Sequence, residues 1–243
     1  MRFPRNTGPF LALLVVACLV ASAAPATAKM RVGDHRADNT DSALGYKGSP
    51  DGRIFLAWEE VIQEPGATYI GVHFTDFRLA PGDYLRISDA SGGQAYILED
   101  RGKMNAGEFW AQHIKGDTAV LQLFATSPGG AQGFAIDLIA TGNREIDYDP
   151  EAICVADDKE NAVCYESSHP EAYAASEPVA RLLINSMYLC TGWLASADGH
   201  FVTNAHCIGS SSEALNTDFD FMAEAPLCSS SNCQLCHSND VYS

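Results

Sequence analysis

Between residues 53 and 142, apolar and polar positions alternate in short runs that turn clusters keep interrupting. Thr68-Tyr69-Ile70-Gly71-Val72-His73-Phe74 alternates, and so does Asp83-Tyr84-Leu85-Arg86-Ile87-Ser88. Similar runs open at Arg53, Ala95, Glu108, Thr118 and Gly133, and Pro81-Gly82-Asp83, Ser91-Gly92-Gly93, Lys115-Gly116-Asp117 and Ser127-Pro128-Gly129-Gly130 separate several of them. A period of two broken by Gly, Pro, Asp and Ser predicts β-strands and turns. About seven or eight short strands at this spacing predict an antiparallel β-sandwich. The stretch holds no cysteine. Its core must therefore hold it unaided, which about 90 residues can do.

The pattern changes on either side. Residues 29–52 are polar and turn-rich without clear periodicity, and read as a propeptide or a loose lead-in. Residues 143–175 form a linker with an acidic bias that includes Glu145, Asp147, Asp149 and Glu151. From residue 176, Pro178–Ile184 predicts a strand. Leu189–Ile208 then predicts two short strands around the turn Ala197-Asp198-Gly199-His200. Phe221–Glu224 reads as a further strand.

The first 28 residues carry a different signal. Arg2 and Arg5 precede an apolar run from Phe10 to Val20, and Ala26-Thr27-Ala28 offers a small-x-small cleavage site. That order of parts predicts a secretory signal peptide, and the run is too short for a membrane span. Secretion to the extracellular medium permits disulfides. Without Cys18, seven cysteines remain: an odd number, implying a free thiol, an intermolecular bond or a partner elsewhere. Cys190 and Cys207 flank the second hairpin. Paired, they close a loop of roughly 17 residues, worth about 3 kcal/mol in the chain-entropy model. Cys154 and Cys164 are placed for a local pair, while the pairing of Cys228, Cys233 and Cys236 is not readable.

Charge narrows the partners. The 243 residues hold 31 Asp and Glu against 15 Lys and Arg, a net charge of -16. That balance argues against nucleic acid or an anionic membrane. His73 and His113 lie on strand-like segments without a second ligand at metal spacing, and Tyr69, Tyr96 and Trp110 read first as core or rim aromatics, second as a binding face. Cys233-Gln234-Leu235-Cys236-His237 matches the haem-attachment spacing, but no Met or His follows to serve as second axial ligand. Cys228, Cys233, Cys236 and His237 have ligand types suited to zinc, yet a secreted chain uses such cysteines in disulfides. No cofactor or metal is expected.

Cys190-Thr191-Gly192-Trp193-Leu194 and Thr203-Asn204-Ala205-His206-Cys207 resemble the region around the catalytic histidine of secreted trypsin-like serine proteases, in particular the glutamyl-endopeptidase-like branch. The resemblance covers roughly Glu177 to Ile208. It implies that residues 176–243 begin a trypsin-like β-barrel, that Cys190 and Cys207 are bonded, and that His206 is the general base acting on protein or peptide substrates. Leu79–Asp89 and Phe109–Leu123 loosely resemble the CUB-like or jelly-roll modules that precede some secreted peptidases. Asp89-Ala90-Ser91-Gly92-Gly93 has a passing likeness to a nucleophile motif, but it precedes the histidine, against the trypsin-like order.

The rest of a triad does not appear. Asp218, Asp220 and Asp240 follow His206, none in an apolar strand-end setting, and no Gly-Asp-Ser-Gly-Gly sequence follows. The expectation from the sequence is therefore an all-β chain, truncated or incomplete, from a secreted serine endopeptidase, inactive alone. The alternative is a non-catalytic secreted protein that binds through its sandwich. Nothing in the sequence sets the oligomeric state.

Overall fold

The computed structural model describes residues 29–38, 43–126, 132–142 and 160–229, together with the backbone of a terminal strand at Asp240–Tyr242. The signal-like segment and residues Cys154, Cys233, Cys236 and His237 lie outside these. The chain is all-β, as the alternating pattern predicts. In order, the strands are β1 (Met30–Arg31), β2 (Gly33–Ala37), β3 (Phe55–Gln63), β4 (Tyr69–Arg78), β5 (Tyr84–Asp89), β6 (Ala95–Glu99), β7 (Phe109–Trp110), β8 (Ile114–Lys115), β9 (Thr118–Ala125) and β10 (Gly133–Gly142). There follow a short helix α1 (Pro170–Ala174), β11 (Val179–Ile184), β12 (Tyr188–Leu194), β13 (Phe201–Thr203), a second short helix α2 (Ser211–Leu215), β14 (Thr217–Phe221) and β15 (Asp240–Tyr242).

Three antiparallel sheets result. One runs β2-β10-β4-β7, with β8 also on β4; the second runs β3-β9-β5-β6; the third runs β1-β12-β11-β14-β15, with β13 on β12. The first two sheets share one core. Phe74, Phe77, Phe109 and Phe134 fill its centre with Leu85, Ile87, Leu121 and Leu123, all fully or almost fully buried. Phe74 meets Phe77 and Phe134 edge-on, with centroids 5.3 and 5.1 Å apart, the arrangement the ring quadrupoles prefer. β9 shows the cause most plainly: its odd-numbered side chains Ala119, Leu121, Leu123 and Ala125 are buried while those between are half-exposed.

The third sheet is open, without closing into a barrel. One face packs a small core of Leu182, Ile184, Cys207, Cys190, Phe201 and Phe219. Phe201 lies over Gly192, where a Cβ would stand 2.3 Å from its ring. The lead-in is not loose. β1 pairs with β12 of the third sheet and β2 pairs with β10 of the first, so this short segment stitches the two parts together. The acidic linker is also partly structured, since α1 and a 3-10 turn at Ala162–Tyr165 lie within it.

The tip of the β11–β12 hairpin is a plug set into the first sheet. Asn185 and Ser186 both take positive φ, 51° and 49°, and the Met187 N–H donates to Ile184 O at 3.0 Å, the pattern of a type I′ turn. The Tyr69 hydroxyl donates to Ser186 O at 3.0 Å, His35 Nε2 bonds Asn185 O at 2.8 Å, and the Val32 N–H donates to Met187 O at 2.8 Å. The floor is Gly71, where a Cβ would stand 2.5 Å from Ser186 Oγ and 2.7 Å from its Cβ. Gly71→Ala is thus expected to destabilise the fold by about 1–3 kcal/mol, as overpacking does. Urea unfolding checks this, and amide exchange should speed up first at residues 184–188.

Candidate functional site

The hairpin that carries His206 is built by β12 and β13 in register Gly192↔Thr203, Trp193↔Val202 and Leu194↔Phe201. Thr203 Oγ1 donates to Thr191 O at 2.7 Å, which ties the strands beside the turn. The chain then folds back through Asn204–Ile208, where the Cys207 N–H donates to Asn204 O at 2.9 Å. Cys190 and Cys207 form a disulfide with 5.9 Å between their Cα atoms, closing the 17-residue separation. His206 stands exposed on this turn, with a ring nitrogen within 4.8 Å of both sulfurs. The three residues have metal-ligand chemistry, but the two thiols are consumed in the bond.

Asp218 and Asp220, which follow His206, lie on the face of the sheet opposite to Cys190. Cys190, Leu182 and Phe219 stand opposite one another across β12, β11 and β14, so they share one face of the sheet. Asp218 and Asp220 alternate with Phe219 and therefore project from the other face. Both are buried and committed. Asp218 accepts from the His113 N–H at 2.9 Å and from His113 Nδ1 at 2.8 Å, and lies 3.6 Å from Lys103 Nζ. Asp220 pairs with Arg181. The third aspartate, Asp240, pairs through its backbone with Phe221 in β15. Among the described residues no carboxylate is bonded to His206.

Other Ser and His pairings have structural roles. Ser196 Oγ lies 2.8 Å from His200 Nδ1, but both are exposed on one surface turn, where water competes for each. Asp89 Oδ1 accepts from Ser91 Oγ at 2.8 Å and from the Gly93 N–H at 3.0 Å, so the Asp89–Gly93 motif is a capped turn between β5 and β6. His73 Nδ1 bonds Asp137 Oδ1 at 2.6 Å on the first sheet. Tyr69 and Trp110 are buried, as the core reading of them predicts.

What the sequence reading missed is the polar seam between the third sheet and the rest. Asp218 is its hub, and the Trp110 N–H donates to Asn216 Oδ1 at 2.7 Å beside it. Burial holds the Lys103 ammonium below its usual pKa, and the Asp218 charge opposes that shift. Burial likewise lowers the His35 pKa, against the hydrogen bond to Asn185. Cys164 is bonded to Cys228 across a separation of 64 residues, not to Cys154. This second bridge joins the segment before β11 to the segment after β14.

The same sheet also has an exposed apolar row. Val179↔Trp193↔Val202 are direct cross-strand neighbours, with 41%, 48% and 40% of their surfaces exposed. They lie on the face from which Asp218 and Asp220 project, at the end away from the first sheet.

No known protein-family profile matches the chain. It is similar to a secreted effector. The relative is secreted RxLR effector protein 73 of Plasmopara viticola, 36% identical over an alignment of 184 residues that covers 69% of this chain and 45% of that protein. The chain thus spans about half the length of the curated relative it matches. The Arg-x-Leu-Arg string in that name does not occur among the 243 residues. The relative is named as an effector and not as a peptidase. That finding overturns the serine-endopeptidase reading, in line with aspartates on the sheet face opposite to Cys190. The name also agrees with secretion, and no helix among the described residues is long and apolar enough to cross a membrane.

Proposed function

We propose that this chain is a non-catalytic secreted protein that acts by binding another protein outside the cell that makes it. The observation that carries this is the likeness to a secreted effector over 69% of the chain. The geometry supports it: His206 is an exposed turn residue beside a disulfide, and the buried carboxylates serve the fold. On this reading the trypsin-like resemblance of Leu189–Ile208 is a shared disulfide-closed hairpin without the chemistry. The relative's far greater length leaves room for further parts, so the proposed role is that of the matched region.

The test is hydrolysis. The purified, oxidised chain is incubated with a mixed peptide library and the products are read by mass spectrometry. The expected result is no cleavage, with His206→Ala indistinguishable from the parent. Cleavage that His206→Ala abolishes would overturn the proposal.

A further inference from the structure

The third sheet offers a binding surface of unusual charge. Residues 160–229 contain nine Asp and Glu against a single Lys or Arg, Arg181, and that cation is paired with Asp220. Residues 29–142, by contrast, hold ten Lys and Arg among fifteen Asp and Glu. Anionic character is therefore concentrated on the part that carries the apolar row. Glu177 stands exposed two positions before Val179, and Asp198 is exposed on the turn that joins β12 to β13. Glu224 accepts from the Tyr173 hydroxyl at 2.6 Å. That bond, followed by burial and by the charges of Glu224, Glu166 and Glu177, pushes the phenol up to about 12.

The row itself ends on an open edge. Among the described residues β13 is bonded to β12 alone, and Val202 sits on that outermost strand. Natural sheets blunt such edges with lysine or proline. Phe201, Val202 and Thr203 supply neither. An apolar side chain on an open edge, in line with Trp193 and Val179, is the surface on which an added strand would lay its own apolar side chains. A second copy of this chain would bring the same excess of carboxylates to that edge, so charge repulsion disfavours it.

We propose that the edge of β13 and the row Val179–Trp193–Val202 take up an extended, cationic segment of a partner protein by strand addition. Alternate apolar side chains lie on the row, and lysine or arginine side chains reach the surrounding carboxylates. This inference rests on the binding reading above and gives that reading a site and a partner chemistry.

The probe is a fluorescein-labelled decapeptide of alternating valine and lysine, titrated with the oxidised chain at low ionic strength and followed by anisotropy. Trp193→Ala and Val202→Lys are each expected to weaken binding at least about tenfold, the scale of a truncated anchor. Ile97→Ala, which trims an exposed apolar residue of β6, should leave it unchanged. A glutamate-for-lysine peptide, and one N-methylated at alternate amides, should not bind. Equal affinities for Trp193→Ala and Ile97→Ala would overturn the proposal, as would indifference to N-methylation, absence of binding, or a dimer that Trp193→Ala dissociates. Mass spectrometry of the probe separates the two readings. An intact, unbound peptide defeats only this site, whereas a cleaved peptide defeats the non-catalytic reading.

Discussion

Alanine in place of Asp218 is expected to lower the unfolding free energy by about 3–5 kcal/mol, the cost of removing one partner from a buried ion pair. Asp218 is 3% exposed and the Lys103 side chain 7%, so water cannot replace the lost carboxylate. The His113 main-chain N–H and His113 Nδ1 bond to it, and the Lys103 ammonium lies 3.6 Å away as its counter-charge. The loss therefore falls on both sides of the seam between the first and third sheets. Asp218→Asn keeps an acceptor for the His113 N–H and removes only the charge, so its cost should be smaller. Urea denaturation followed by near-UV circular dichroism measures both. A change below about 1 kcal/mol for Asp218→Ala, the value of an exposed pair, would show that the seam is wet.

Loss of the Cys164–Cys228 bridge is the other large effect. In the chain-entropy model a closed loop of 64 residues is worth about 4 kcal/mol, against about 3 for the 17-residue loop of Cys190–Cys207. Cys164→Ser/Cys228→Ser should therefore unfold at lower urea than Cys190→Ser/Cys207→Ser. The reason is the connectivity: the longer bridge closes the whole of α1, β11 to β14 and α2 into one loop. The reverse order of midpoints would mean that the smaller core around Cys207 dominates.

The alternating strands were legible because each buries at least one apolar face. β4, β5, β9, β10 and β11 all lie where runs such as Thr68–Phe74 and Pro178–Ile184 place them. β14 was not. In Thr217-Asp218-Phe219-Asp220-Phe221 two aspartates alternate with two phenylalanines, yet the aspartate face is buried and ion-paired, which the local pattern does not encode. The further strand was expected at Phe221–Glu224 instead. β1 and β2 were illegible for a related cause. Their residues are mostly polar, and their place is fixed by backbone bonds to β12 and β10 rather than by an apolar face. The Cys190–Cys207 bond was implied by the resemblance of the hairpin it flanks, not by its spacing alone. Cys164–Cys228 reaches past all of β11 to β14, a span that no local pattern encodes.

The histidine motif was legible as a motif and misleading as chemistry. A short stretch fixes a hairpin and a disulfide, but a triad is a three-body arrangement. Only the register of β11 with β12 and β14 shows that Asp218 and Asp220 lie on the face opposite to Cys190. The apolar row was hidden for a related reason: Val179, Trp193 and Val202 lie on three successive strands and become neighbours only through the register of their pairing.

The most direct test of the central claim is labelling of the purified, oxidised chain with a fluorophosphonate, which reacts with serines activated by a neighbouring base. A binding protein without a catalytic serine predicts no adduct in the intact mass of the parent chain or of His206→Ala. A stoichiometric adduct on one serine, present in the parent and absent in His206→Ala, would contradict it.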